Sequence, residues 1–418
     1  MLVGNTLGMG ILRTPGEIAA RLPSVPLFMG VWVVGAIYAL LGALTVAELA
    51  TMRPRSGGLY PLVHDALGPY PGFVAGWTDW IALCGSTAAV AIVLGEYVGP
   101  LVPMLSGHGA ATASVVVAAF ALLQWRGIRI GDATQQTTSL LKGLGLVSLA
   151  AVALVVETPV ATTTTVIATA VPLSGFALAG AVIIALQSAI YTYDGWTGPT
   201  YFGEELRDPA RDLPRTMIGG VLLVMAIYLF LNAAFLRVVP LAEMAGDPFV
   251  AATVARRLFG QQGDTVLRVV MIVSLLASVN ALMLMASRVP HAMSRDRLLP
   301  GVLGRVNAGG TPVPALAASA ILAVACIATN TFDTVLAVLA FLFVANYALT
   351  FAGLFVSRHR LPDAARPFRV PGYPGVPALA LAGSLAFMAA AIVSDRTNSL
   401  IAIAMVASSW PVYRLMRR

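Results

Sequence analysis

Apolar runs of similar length recur from one end of the chain to the other, for example at residues 27–49, 73–98, 378–393 and 401–415. Each is close to the ~20 residues that an α-helix needs to cross a bilayer. About twelve spans of that length use most of the 418 residues, and what remains is short loops. The pattern therefore predicts an all-α integral membrane protein of about twelve helices, a single membrane domain with no room for a separate soluble one. No cleavable signal peptide is expected, because no charged start precedes a short apolar core.

Composition agrees. The hydrophobic fraction is 58%, the charged fraction 11% and the mean hydropathy +0.84, whereas soluble domains carry roughly 25% charge. Cys84 and Cys326 both fall inside predicted spans, where they pack as small apolar groups and form no disulfide framework.

The net charge of +7 gains meaning from where the charges sit. Basic residues gather in every second loop: Arg53 and Arg55; Arg126 and Arg129; Arg207, Arg211 and Arg215; Arg288, Arg295, Arg297 and Arg305; Arg358, Arg360, Arg366 and Arg369; then Arg414, Arg417 and Arg418. The stretches 100–124 and 157–187 hold neither Lys nor Arg. Such alternation is the mark of membrane orientation rather than of nucleic-acid binding, and it puts both termini in the cytoplasm. Arg237, Arg256 and Arg257 depart from it, in a longer outward loop expected to carry its own short helix.

Two spans are unusual. The first holds GNTLGMGILRTPG, with Gly4, Gly8 and Gly10 interrupting the apolar run before Pro15; the sixth holds YTYDGW at residues 191–196, followed by Gly198 and Pro199. Glycine inside a helix costs about 1 kcal/mol relative to alanine. In hydrocarbon an opened backbone is tolerated only where it lines a cavity or is buried in protein. Close packing of small residues is the alternative reason for such glycines. Breaks in the first and sixth spans stand five helices apart, and because five is odd, two five-helix units have opposite orientation. That is an inverted repeat with a site at the midplane. The expected division is 1–156 for helices 1–5, 174–357 for helices 6–10, and 376–415 for two C-terminal helices.

A broken helix offers chemistry. Free N–H groups opening a half-helix attract a carboxylate, and free carbonyls ending one accept from an ammonium group. An amino acid presents both. Its carboxylate is expected around Gly8, Met9 and Gly10, and its amino group near Tyr191, Thr192 and Asp194, with Tyr191 and Trp196 as aromatic gates. Asp194 is also well suited to capping the following half-helix.

The stretches GMGILRTPG, PRSGGLYPLVHDALGPYPGFVAGW at 54–77, YTYDGW with EELRDPARDLPR at 204–215, and ASRVPHAMSRDRLLP at 286–300 resemble, in order, the amino acid–polyamine–organocation (APC) superfamily. The resemblance continues through TPVPAL at 311–316 and the loop at 366–377, so it covers essentially the whole chain. Within the superfamily the chain is most similar to the bacterial relatives of the L-type amino acid transporters. The resemblance implies a twelve-helix inverted-repeat fold with discontinuous helices 1 and 6, and amino acid uptake or exchange. It marks Gly8, Met9, Gly10 and Ile11, with Tyr191, Thr192, Tyr193 and Asp194, as the substrate shell. Met9 stands where the family usually has a small residue such as serine, which removes a hydroxyl contact. Only seven residues precede Gly8, reaching about 10 Å where half a hydrocarbon core is about 15 Å, so an upstream start is expected.

Lys142 is the only lysine among 26 Lys and Arg residues, and it sits within the predicted fifth span. An ionisable group there is costly and points to function, and a lysine, unlike arginine, can lose its proton when desolvated. The resemblance implies that it occupies the place where sodium-coupled relatives bind an ion. It then couples a proton or stays as a fixed cation; snorkelling to headgroups is the bland alternative. Asn280 and Asn346 are possible pocket residues, although an Asn in a span also bonds neighbouring helices. Glu204 and Glu205 are expected to form a cytoplasmic latch with Arg207 and Arg211. Asp79 and Glu96 are left unassigned.

Other classes are disfavoured by absence. No glycine-rich loop ends in Lys-Ser or Lys-Thr. His64, His108, His291 and His359 lack metal-binding spacing, and no nucleophile elbow has a partner histidine. The chain is expected not to be an enzyme and to need no cofactor or metal. The expected reading is a secondary permease for amino acids, neutral ones because no buried acidic residue is positioned for a cationic side chain, working as an exchanger or a proton symporter. A carrier of polyamines or other organic amines, and a non-transporting amino acid sensor, remain open. Expected partners are the amino acid, the lipid bilayer and, for symport, a proton. Nucleic acid is not among them, and nothing marks an obligatory protein partner. The expected location is the cytoplasmic (inner) membrane.

Overall fold

The computed structural model describes residues 10–127, 143–156, 175–329 and 332–416. Gly8, Met9 and Lys142 lie outside these residues. The described chain is helical, without a strand. In order the α-helices are α1 (Gly10–Arg21), α2 (Val25–Met52), α3 (Tyr60–Leu67), α4 (Pro69–Val98), α5 (Gly109–Trp125), α6 (Gly143–Val155) and α7 (Gly175–Tyr193). They continue with α8 (Pro209–Val238), α9 (Leu241–Met244), α10 (Val250–Arg295), α11 (Val313–Thr329), α12 (Phe332–Arg360), α13 (Gly375–Ser394) and α14 (Arg396–Met416). Among the described residues, eight helical stretches are long and apolar enough to cross a membrane, and α5, α6 and α11 are shorter apolar helices.

Several helix starts are local. Proline follows the N-cap of α2 at Pro26, and opens α4 at Pro69 and α8 at Pro209, where its missing N–H costs nothing. Asp208 also accepts from the Arg211 N–H, satisfying a first-turn donor of α8. The loop after Arg237 does carry short helices. One is α9, and α10 is broken at Gly260 (φ 68°, ψ −162°) into a loop helix and a long span. Arg257 is held there by the Val238 carbonyl at 2.8 Å and by the carboxylate of Glu243, so its charge is paired.

The helices pack as two groups. In one, α1 lies on α7 and α2 lies on both α7 and α8; in the other, α4, α5, α10 and α11 pack on one another. α12 runs between them, against α4 and α7, while α13 and α14 pack on the outside of α12. With lipid tails as apolar as leucine, such helices are held by close packing and polar contacts between helices more than by water exclusion.

Candidate functional site

The sixth-span break lies where α7 ends at Tyr193. Residues 194–197 form a turn, with Gly195 at φ 114°, a conformation that a side chain rarely adopts. A 3-10 run, Gly198–Glu205, follows in place of the expected α-helical half, itself kinked at Phe202. The end of α7 is only partly satisfied. Asp194 N–H bonds the Ile190 and Tyr191 carbonyls, and Tyr228 on α8 donates its hydroxyl to the Thr192 carbonyl at 3.1 Å. The Tyr193 carbonyl has no hydrogen-bond partner among the described residues.

Gly10, the first described residue of α1, meets this break directly. A Cβ on Gly10 would stand 2.6 Å from Thr192 Cγ2 and 2.9 Å from Thr192 Cα, so only glycine fits. One turn on, the Thr192 hydroxyl lies 2.8 Å from that of Thr14. Ile11 is fully buried beside it. The structure thus brings Gly10, Ile11 and Thr192 together, with the side chain of Thr192 used between helices.

The helical period sorts the neighbouring residues. Tyr191 and Asp194, three apart, share a face. Tyr191 is directed at Ser86 of α4 and Phe343 of α12, and the Asp194 carboxylate accepts from the Tyr347 hydroxyl of α12 and from Gly195 N–H. Tyr193 points to the other side, its ring centroid 6.0 Å from that of Trp32 and 5.1 Å from that of Tyr228. Trp196 is buried, 4.9 Å between centroids from Tyr347.

The two asparagines bond neighbouring helices. The Asn280 side chain and carbonyl both accept from Gln124 Nε2 of α5, at 2.9 and 2.8 Å. Asn346 accepts from the Thr78 hydroxyl of α4 at 2.8 Å, leaving its own amide nitrogen buried without a partner. Tyr347, which sequence reasoning passed over, is the residue of α12 that reaches the break. Adjacent helical positions differ by about 100°, so Asn346 and Tyr347 cannot face the same way. The readable signal was an aromatic hydroxyl beside the chosen amide.

Polar contacts tie α4 to its neighbours at two separate levels. At one, Arg13 of α1 bridges Glu96 of α4 at 2.7 Å and Glu17 at 3.2 Å. At the other, both oxygens of Asp79 accept from the Tyr201 hydroxyl of the 3-10 run, at 2.8 and 2.9 Å. Asp79 and Glu96, seventeen residues apart on one helix, are separated by about 25 Å. Near Asp79, Glu205 pairs with Arg288 at 2.7 Å and Glu204 with Arg295 at 3.0 Å. Both glutamates are paired, but with arginines of α10 and not with the expected Arg207 and Arg211, because the 3-10 run turns its last residues towards the end of α10.

The loop entering α3 joins the same end. Arg55 spans Asp296 at 2.7 Å and Asp65 at 3.6 Å, and the Tyr60 hydroxyl donates to Asp296 at 2.6 Å. Burial, then the bond to anionic Asp296, push the Tyr60 hydroxyl above its ordinary range. For Asp65 burial acts upward, but His64, Arg55 and Arg53 together outweigh it and hold the carboxyl below its usual value.

Residues 1–411 match the family model described as amino acid permease. The chain belongs to the amino acid permease family. This is a family of membrane carriers and not of enzymes, and the chain is a multi-pass membrane protein. It is 30% identical to the serine/threonine exchanger SteT of Bacillus subtilis, across 100% of this chain and 95% of that protein. It is 28% identical to the b(0,+)-type amino acid transporter 1 of Mus musculus, over 94% of this chain and 81% of the relative. Identity is also 28% to the large neutral amino acids transporter small subunit 2 of Mus musculus, over 88% and 71%.

Proposed function

We propose that this permease exchanges neutral amino acids across the cytoplasmic membrane by alternating access. The observation that carries the reading is the contact between Gly10 of α1 and Thr192, next to the break that ends α7. The substrate carboxylate binds the N–H groups around Gly8, Met9, Gly10 and Ile11, and the amino group binds the carbonyls ending α7, where that of Tyr193 has no partner among the described residues. Tyr191 and Trp196 close the site. The Asp194 carboxylate is held towards α12 by the Tyr347 hydroxyl rather than left free for a cationic side chain, which supports neutral substrates.

In this reading 1–156 and 174–357 are inverted repeats, 376–415 adds two helices, both termini are cytoplasmic, and Lys142 is a fixed cation in place of a coupling ion. Kinship with a protein named as an exchanger supports exchange over symport. The name of one relative describes a small subunit; for this chain we hold that transport needs no second protein.

The test is uptake of labelled serine, threonine and leucine into proteoliposomes containing only this protein. Uptake that requires internal amino acid, and competitors with a free α-carboxylate, supports the reading. Uptake driven by an imposed proton gradient without internal substrate replaces exchange with symport. Uptake of amines lacking a carboxylate overturns the amino acid site.

A further inference from the structure

At the end of α12, a cavity of about 370 Å³ is lined by Arg358, His359, Arg366, Arg369, Tyr373 and the apolar ring of Phe355, with no carboxylate in its wall. Beneath it lies Glu48 of α2, fully buried and bonded by Arg358 at 2.6 and 2.8 Å. Arg366 Nε stands 3.2 Å from the same carboxylate, and Val370 N–H donates to it at 2.8 Å. One buried anion thus pins the loop between α12 and α13 and holds two guanidinium groups in fixed positions.

The charges do not balance. Glu48 offsets one of three arginines. Arg366 spends its remaining donors on the carbonyls of Ser357, Leu361, Pro362 and Ala364. Arg358 uses Nε and Nη2 on Glu48, which leaves Nη1, and its guanidinium is stacked 3.8 Å over the Tyr373 ring. Arg369 is exposed and makes no hydrogen bond or ion pair among the described residues. The result is a walled pocket with excess positive charge and unused planar donors, suited to the oxygens of a phosphate.

Leu361 and Tyr373 at this loop are exposed, by 46% and 36%. Apolar and tyrosine side chains exposed beside a basic pocket, at the end of a span, belong to the boundary between headgroups and water. We infer that this cavity binds the phosphate headgroup of an anionic phospholipid in the cytoplasmic leaflet. The inference uses the orientation proposed above, but binding can be read without transport. Lipid seated there bridges α12 and the start of α13 through Arg358, Arg369 and Tyr373, and its acyl chains lie along the outer faces of those helices.

The experiment is native mass spectrometry of the detergent-purified full chain with phosphatidylglycerol or phosphatidylcholine added. Arg369→Gln removes a wall charge without touching Glu48, and Arg360→Gln removes an equal charge from an exposed neighbour outside the wall. Phosphatidylglycerol is retained over phosphatidylcholine, Arg369→Gln lowers that retention by about fivefold, and Arg360→Gln leaves it unchanged. Equal retention of the two lipids, no effect of Arg369→Gln, or equal losses in both variants overturns the site. Displacement of the lipid by inorganic phosphate also overturns it, in favour of a soluble anion.

Discussion

Gly10 and Tyr347 are the side-chain positions on which the candidate site most directly depends. Alanine at position 10 drives its Cβ into Thr192, whose Cα is itself only 2.9 Å from that point. Overpacking of this kind costs about 1–3 kcal/mol, and here it pushes α1 away from the end of α7. Gly10→Ala is expected to lower uptake by at least about tenfold while the protein still reaches the membrane, measured by transport against surface amount. Tyr347→Phe removes the hydroxyl that binds Asp194 and leaves a buried carboxylate with the Gly195 N–H as its remaining named donor. That costs about 1–3 kcal/mol. Exchange is expected to fall with little change in expression, and Tyr347→Phe combined with Asp194→Asn is expected to be less impaired than Tyr347→Phe alone, because the stranded charge is gone. The residue types at the break were legible in the chain. Their directions were not: Tyr193 sits two positions from Tyr191, yet faces Trp32 and Tyr228 on the other side of the helix.

Between elements, the ion pair at the far end of α4 and the one near Asp79 are expected to act as opposed ties. Arg13–Glu96 joins α1 to α4 at one level, and Glu205–Arg288 joins the 3-10 run to α10 at the other. Each is partly exposed, so each contributes at most about 1 kcal/mol, a shift of about fivefold in a two-state balance. Glu96→Gln is expected to raise thiol labelling of an engineered cysteine near Arg13, and Glu205→Gln that of one near Tyr201. Equal labelling changes at both ends in either variant would sink the idea of opposed ties. The cluster around Asp65 adds a pH dependence. Its carboxyl is held below the ordinary value, so its contribution to stability is complete above that value and is lost as pH falls through the lowered one. Thermal stability of the purified protein is expected to drop below about pH 4, with a smaller drop in Asp65→Asn. Sequence reasoning found Glu204 and Glu205 but paired them with sequence neighbours. Their partners lie over eighty positions away, and only the direction of the chain after the break selects them.

Across the whole molecule, buried Glu48 is where α2, α12 and the loop to α13 are joined. Glu48→Gln leaves Arg366 and Arg358 without their counter-charge, a loss of about 3 kcal/mol expected from breaking a buried pair at one partner. A lowered melting temperature in detergent checks it. The sequence alone determined that the chain is a helical membrane protein, where the long apolar spans run, and that the sixth is interrupted. These follow from the length of a bilayer and the backbone preferences of Gly and Pro, which act locally and leave a readable mark. It did not reveal Tyr347 at Asp194, Gln124 at Asn280, or Arg358 and Arg366 at Glu48. In an apolar helix every face reads alike, so which polar group meets which is decided by how the helices cross, and only the tertiary structure carries that.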